Sequence, residues 1–150
     1  LHRRAELSNA ANQRYLDALA AADDPQPFGE LVRPYCQATR YKGKRVRGLN
    51  PLQSRDHALL AAVARAEFVI NGFRNRDLRP LLFGTAKVSK QVSRRQSAAV
   101  TRQIRLLRAH GLVRKVPKSH RYQVTIKGRI FLTALLAAAQ SSTEQLLEAA

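Results

Sequence analysis

Apolar residues recur at helical spacing along several stretches of the chain. From Leu1 to Ala22, Leu7, Ala11, Tyr15, Leu16 and Leu19 share one stripe, which predicts an amphipathic helix. Asp23-Asp24-Pro25-Gln26-Pro27 ends it, because proline cannot continue a helix. A short helix is predicted from Phe28 to about Gln37. Another follows from Arg55 to about Ala66, capped by Ser54, with Leu59, Leu60, Val63 and Ala64 as its apolar side. Phe68-Val69-Ile70 is a β-prone run closed by the turn dipeptide Asn71-Gly72. A short helix is predicted around Asn75–Phe83, capped by Asn75 or Asp77, the latter if Pro80 is to stay unkinked in the first turn. Gly84 to about Ser93 reads as a polar connector.

The strongest periodicity lies between about Arg94 and His110. Val100, Ile104 and Leu107 fall on one stripe, and Arg94, Ala98, Thr101, Arg102 and Arg105 on the opposite arc. Leu106, off the stripe, is expected to pack on another helix, and Gly111 to end this one in the left-handed conformation. Leu112–Val116 and Arg121–Ile126 read as two strands around the turn Pro117-Lys118-Ser119-His120. Lys127-Gly128 breaks the second strand, and Arg129–Ala139 is an apolar helix. Ser141 with Glu144 three residues later forms a capping box that opens a last short helix.

Charge changes the picture. The 150 residues hold 27 Lys and Arg against 10 Asp and Glu, a net charge of +17. Nearly all of the surplus sits in residues 78–143, which contain 14 basic residues and no acid. Compositional bias toward arginine would raise Arg along the whole chain. It would not remove every carboxylate from one long block. A polyanionic partner is implied, nucleic acid before a membrane surface. Arg40-Tyr41-Lys42-Gly43-Lys44-Arg45-Val46-Arg47-Gly48 is also basic, lacks helical periodicity, and reads as an extended arm or short strand.

The run from Val100 to Lys115 resembles the recognition helix and first wing strand of winged-helix regulators of the MarR/ArsR type. Ile104, Leu107, Gly111, Leu112 and Val113 match their Leu/Ile-x-x-Leu-x-x-x-Gly-Leu-Val pattern. The resemblance covers about residues 54–128. It implies a mainly α fold with a small β-hairpin wing, a winged helix-turn-helix with flanking N- and C-terminal helices. The expected division is an N-terminal helical arm with the basic segment (1–50), a winged-helix domain (51–128), and C-terminal helices (129–150) packing on the arm or on a dimer mate.

In such a fold, double-stranded DNA is the expected partner. The long helix offers Arg94, Arg95, Ser97, Ala98, Thr101, Arg102 and Arg105 to a major groove, where arginine binds guanine edges or phosphates in bidentate fashion. Lys118, His120 and Arg121 at the wing would lie over a minor groove or a phosphate ridge. Arg45, Arg47, Lys87 and Lys90 would meet the DNA backbone from the arm and the connector. Transcriptional regulation is the expected role. The alternatives are the DNA-site recognition domain of a larger mobile-element or replication-type protein, and an RNA- or ribonucleoprotein-binding module.

Other classes find little in the sequence. Metal-dependent nucleic-acid enzymes need clustered carboxylates, and Asp56, Glu67 and Asp77 are scattered at predicted helix ends. The expectation is therefore a protein that is not an enzyme, with no cofactor and no metal. His110 is expected to meet carbonyls at a helix end, and Cys36 to be a lone buried thiol. No apolar run is long enough for a membrane span. With one cysteine and no signal-peptide pattern, a cytoplasmic, nucleoid-associated location is expected. The absence of Met suggests a piece of a longer protein. Leu7, Tyr15, Leu16 and Leu19, with Ile130, Phe131, Leu132, Leu135, Leu136, Leu146 and Leu147, are more apolar residues than one small winged helix buries. A homodimer through the terminal helices is expected.

Overall fold

A computed structural model describes residues 28–149; the predicted first helix, Leu1–Ala22, lies outside them. The described chain is mainly helical with two small antiparallel sheets. In order, α1 (Phe28–Cys36) leads into a hairpin of β1 (Thr39–Tyr41) and β2 (Lys44–Val46). Then come α2 (Ser54–Val63), α3 (Ala66–Asn71), β3 (Phe73–Arg74), α4 (Asn75–Phe83) and α5 (Lys90–Ala109). β4 (Val113–Lys115), β5 (Arg121–Val124) and α6 (Ile126–Ala149) complete it. The second sheet has the strand order β3-β5-β4. Phe73 pairs with Tyr122, and Tyr122 with Lys115.

One apolar core unites these elements. Leu59, Leu60 and Val63 of α2, Leu78 of α4, Val100, Ile104 and Leu107 of α5, and Phe73, Leu112 and Val124 around the sheet are all buried in it. Leu106, although off the stripe, is buried with them. Val32 of α1 and Phe131, Leu132 and Leu135 of α6 join the same core, with the Tyr35 and Phe131 rings 4.8 Å apart. Phe131, Leu132 and Leu135 are thus covered within one chain, while the side chains of Leu146 and Leu147 lie outside the described residues.

Several elements differ from their sequence-based expectation, each for a local reason. The basic segment 40–48 is a hairpin, because Lys42 (φ 49°) and Gly43 (φ 76°) form a two-residue turn with both residues left-handed. Ser54 does not cap α2; it is the first helical residue, after Gln53, whose side chain makes no capping bond. Phe68-Val69-Ile70 is helical, not a strand. In α3 it turns Phe68 and Val69 toward the core and leaves Ile70 60 % exposed. α2 accordingly stops at Val63, short of Ala66, where α3 begins. Neither Asn75 nor Asp77 caps α4: the cap position is Arg74, and the Asp77 carboxylate reaches back from inside the first turn to the Arg74 N–H at 2.7 Å, with Pro80 inside the helix.

α5 begins at Lys90, four residues earlier than its apolar stripe indicates, because Ser89 Oγ accepts from the Val92 N–H. It ends as expected. Gly111 has φ 73°, and the Leu112 N–H bonds the Leu107 carbonyl at 3.0 Å, the closing bond of a Schellman turn. β5 stops at Val124, not Ile126. Thr125 Oγ1 accepts from the Gly128 N–H and donates to the Gly111 carbonyl, so it caps α6 and ties it to the end of α5. Gly128 therefore lies inside a helix, where a Cβ would collide with the Leu112 carbonyl oxygen. α6 then runs unbroken through Ser141–Glu144, and no separate last helix starts there. Cys36 is exposed rather than buried.

The link between hairpin and helical body is polar. Arg47 donates from both terminal nitrogens to Asp56, at 2.7 and 2.8 Å, and the Asn50 N–H donates to the same carboxylate at 2.8 Å. Asp56 is 1 % exposed. The Arg47 hydrogen bonds hold its carboxyl below the usual carboxylate range against the opposing effect of burial. A lowered folded-state pKa means that the contribution to stability is complete above the ordinary carboxylate range, about pH 4, and is lost as pH falls through the folded value. Arg47→Ala strands a buried carboxylate and is expected to cost about 3 kcal/mol in urea unfolding at neutral pH, a loss that shrinks as acid protonates Asp56. Arg45→Ala, two residues away and exposed, is expected to change stability by less than about 0.5 kcal/mol. Equal small effects would show that the ion pair does not anchor the hairpin.

Candidate nucleic-acid interface

The roll of α5 about its axis decides which side chains can meet a ligand. With Val100, Ile104 and Leu107 at 0–1 % exposure, one side of the helix is committed to the core. Successive residues advance by about 100°, so Arg94, Arg95, Ala98, Arg102 and Arg105 fall on the far side, and all five are exposed. Ser97 and Thr101 lie between the two sides, where α4 meets the helix. Asn75 Nδ2 donates to the Ser97 carbonyl at 2.9 Å and to Thr101 Oγ1 at 3.0 Å. Ser97 Oγ returns a 3.4 Å bond to Asn75 Oδ1. The Ser97 and Thr101 hydroxyls therefore brace α4 against α5, a role that sequence reasoning missed. An Asn at the first position of a helix, facing Ser and Thr four residues apart, was the available signal. Arg79 adds a 3.2 Å bond to Ser93 Oγ on the same seam.

The predicted wing residues separate into two groups. The turn Pro117–His120 is closed by Ser119 Oγ, which donates to the Val116 carbonyl and accepts from the Arg121 N–H, and by the Val116 N–H bond to the Arg121 carbonyl. Lys118, at φ 58°, and His120 are exposed on this ordered tip. Arg121 points elsewhere: its guanidinium donates to the Asn71 carbonyl at 3.0 Å and binds the sheet to the end of α3.

The arm residues separate in the same way. Arg45 and Lys87 are exposed, as is Lys90, which belongs to the first turn of α5 and not to the connector, whereas both terminal nitrogens of Arg47 are engaged by Asp56. His110 does meet a carbonyl, but that of Arg47 across the fold and not one of its own helix. Nε2 lies 2.8 Å from that oxygen, so it carries the proton.

Aromatic rings draw the basic groups together. The Arg105 and Arg108 guanidinium carbons lie 6.0 and 5.8 Å from the centre of the Tyr41 ring, and Lys42 Nζ lies 5.5 Å from it. Arg108 is also 6.0 Å from the Tyr122 ring. These cation–π contacts set the hairpin beside the C-terminal half of α5. No family model, curated protein or solved structure matches the chain. Among the described residues, no group of three His, Cys, Asp or Glu side chains could hold a metal ion, and no helix is long and apolar enough to cross a membrane.

Removing the brace tests the assignment of Asn75. Asn75→Ala is expected to lower stability by about 1–2 kcal/mol, read by thermal unfolding. An unchanged melting temperature would mean that the α4–α5 seam is held by apolar packing alone.

Proposed function

We propose that the chain is a winged helix-turn-helix protein that binds double-stranded DNA, with α5 as its recognition helix, acting as a transcriptional regulator. The observation that carries this reading is the outward arc Arg94, Arg95, Ala98, Arg102 and Arg105, exposed on a helix whose opposite side is fully buried. The element order from α2 to β5 supports it: helices, a short strand, two helices, then a two-stranded hairpin paired on that strand. The exposed tip at Lys118 and His120 serves as the wing. Arginine on the arc supplies bidentate donors for guanine edges, and Ala98 leaves room for close approach or contact with a thymine methyl.

A homodimer joined through the terminal helices belongs to the same reading, with the exposed Leu136 on the surface left for a mate. Sedimentation at tens of micromolar is expected to show a dimer. A monomer removes that part and leaves the DNA reading in place.

Base readout and backbone adhesion are separable by mutation. Arg102→Ala is expected to cost about 1–3 kcal/mol on a preferred sequence and much less on random duplex, since a bidentate base contact is lost. Lys118→Ala is expected to weaken both duplexes about equally and to flatten the salt dependence by about one phosphate contact. Equal losses for both variants on both duplexes would reduce the interface to a diffuse basic face without sequence readout.

A further inference from the structure

Arg40 and Arg45 are directly opposite one another in the β1–β2 hairpin, and both are exposed. Like charges in that register repel and weaken the hairpin. Neither takes part in an ion pair among the described residues, where the two pairs are Arg47–Asp56 and Arg65–Glu67. Lys42 at the turn and Lys44 in β2 add two more exposed cations within the same few residues. Four cations are therefore concentrated on an eight-residue element that has no carboxylate of its own.

Side chains alternate across a hairpin, and here the two faces have different tasks. Tyr41 and Val46 face the body. Val46 packs against the core, and the Tyr41 ring meets Arg105 and Arg108 of α5. Arg40 and Arg45 occupy the other face. The hairpin is also tied at its base by the bidentate Arg47–Asp56 pair, the His110 bond to the Arg47 carbonyl, and the Leu49 N–H bond to the Tyr35 carbonyl at 2.8 Å. A flexible basic tail would lose conformational entropy on meeting a ligand. This hairpin is held beside the recognition helix before any ligand arrives.

We propose that the Thr39–Val46 hairpin is a second, preorganised phosphate-binding element, in which the paired Arg40 and Arg45 straddle the DNA backbone next to the groove entered by α5. The proposal rests on the DNA-binding reading above. In it, the DNA phosphates relieve the Arg40–Arg45 repulsion that the free protein sustains, so that affinity and stability depend on this pair with opposite signs.

The test is an anisotropy titration of the full chain over a salt series, with a random-sequence DNA duplex and with a preferred duplex selected from a random pool, on wild type, on the double variant R40A/R45A and on Arg102→Ala. R40A/R45A is expected to flatten the slope of log K against log salt by about 2, and to lower low-salt affinity by about tenfold or more. Its melting temperature without DNA is expected to be unchanged or higher. Unchanged affinity and slope in R40A/R45A, with Arg102→Ala weakened on its preferred sequence, would overturn the hairpin proposal and leave the reading of α5 intact. A lowered melting temperature that accounts for the lost affinity would overturn it as well. A wild-type chain that binds duplex without salt dependence would remove the DNA reading itself.

Discussion

Burial of Val100, Ile104 and Leu107 fixes the orientation of α5, and every statement about the interface depends on it. Each of these side chains gains about 1.5–3 kcal/mol on leaving water. Rolling the helix by one residue would expose that stripe and drive arginines toward the core, at a far larger cost. The arginine arc is therefore displayed because the opposite side has no other stable place. The hydroxyls between the two sides meet Asn75, which turns the flank of the helix into a seam with α4. The Schellman turn at Gly111 and the Thr125 bridge then set where the sheet and α6 begin relative to that helix.

The few acids reinforce the same asymmetry. Asp56 is buried against Arg47, Glu67 pairs with Arg65 at 2.9 Å, and Asp77 bonds the Arg74 N–H at the start of α4. Each of these three carboxylates acts locally, at a helix start or in an ion pair, and no acidic residue lies on α5, on the wing or in the β1–β2 hairpin. The positive field of these elements is thus not cancelled within them, which is the condition for long-range attraction of a polyanion.

Much of this was legible in the sequence wherever a pattern spans several turns or a special residue fixes the backbone. The α5 stripe and the helix end at Gly111 are of that kind. The β-prone Phe68-Val69-Ile70 misled because three residues carry no period. Core contacts for Phe68 and Val69 decided in favour of a helix. Lys127-Gly128 and Ser141–Glu144 looked like breaks, yet Thr125 caps the helix upstream of the glycine, and propagation through the serines needs no new start. At the interface, composition identified the basic side chains but not their partners. That Arg47 and Arg121 are bound to Asp56 and to the Asn71 carbonyl while Arg102 and Lys118 remain exposed is a property of contacts between separate elements. The hairpin turn at Lys42-Gly43 was the one local signal for a β element that the basic composition obscured.

We propose that the acid-free basic surface lies on the phosphates of duplex DNA. The most direct test is the affinity of the chain for random duplex DNA, single-stranded DNA and duplex RNA as a function of salt. With about six phosphates neutralised, log K for duplex DNA is expected to fall against log salt with a slope of about −5, and duplex DNA is expected to bind tighter than either other ligand. A slope near zero on duplex DNA would contradict the account.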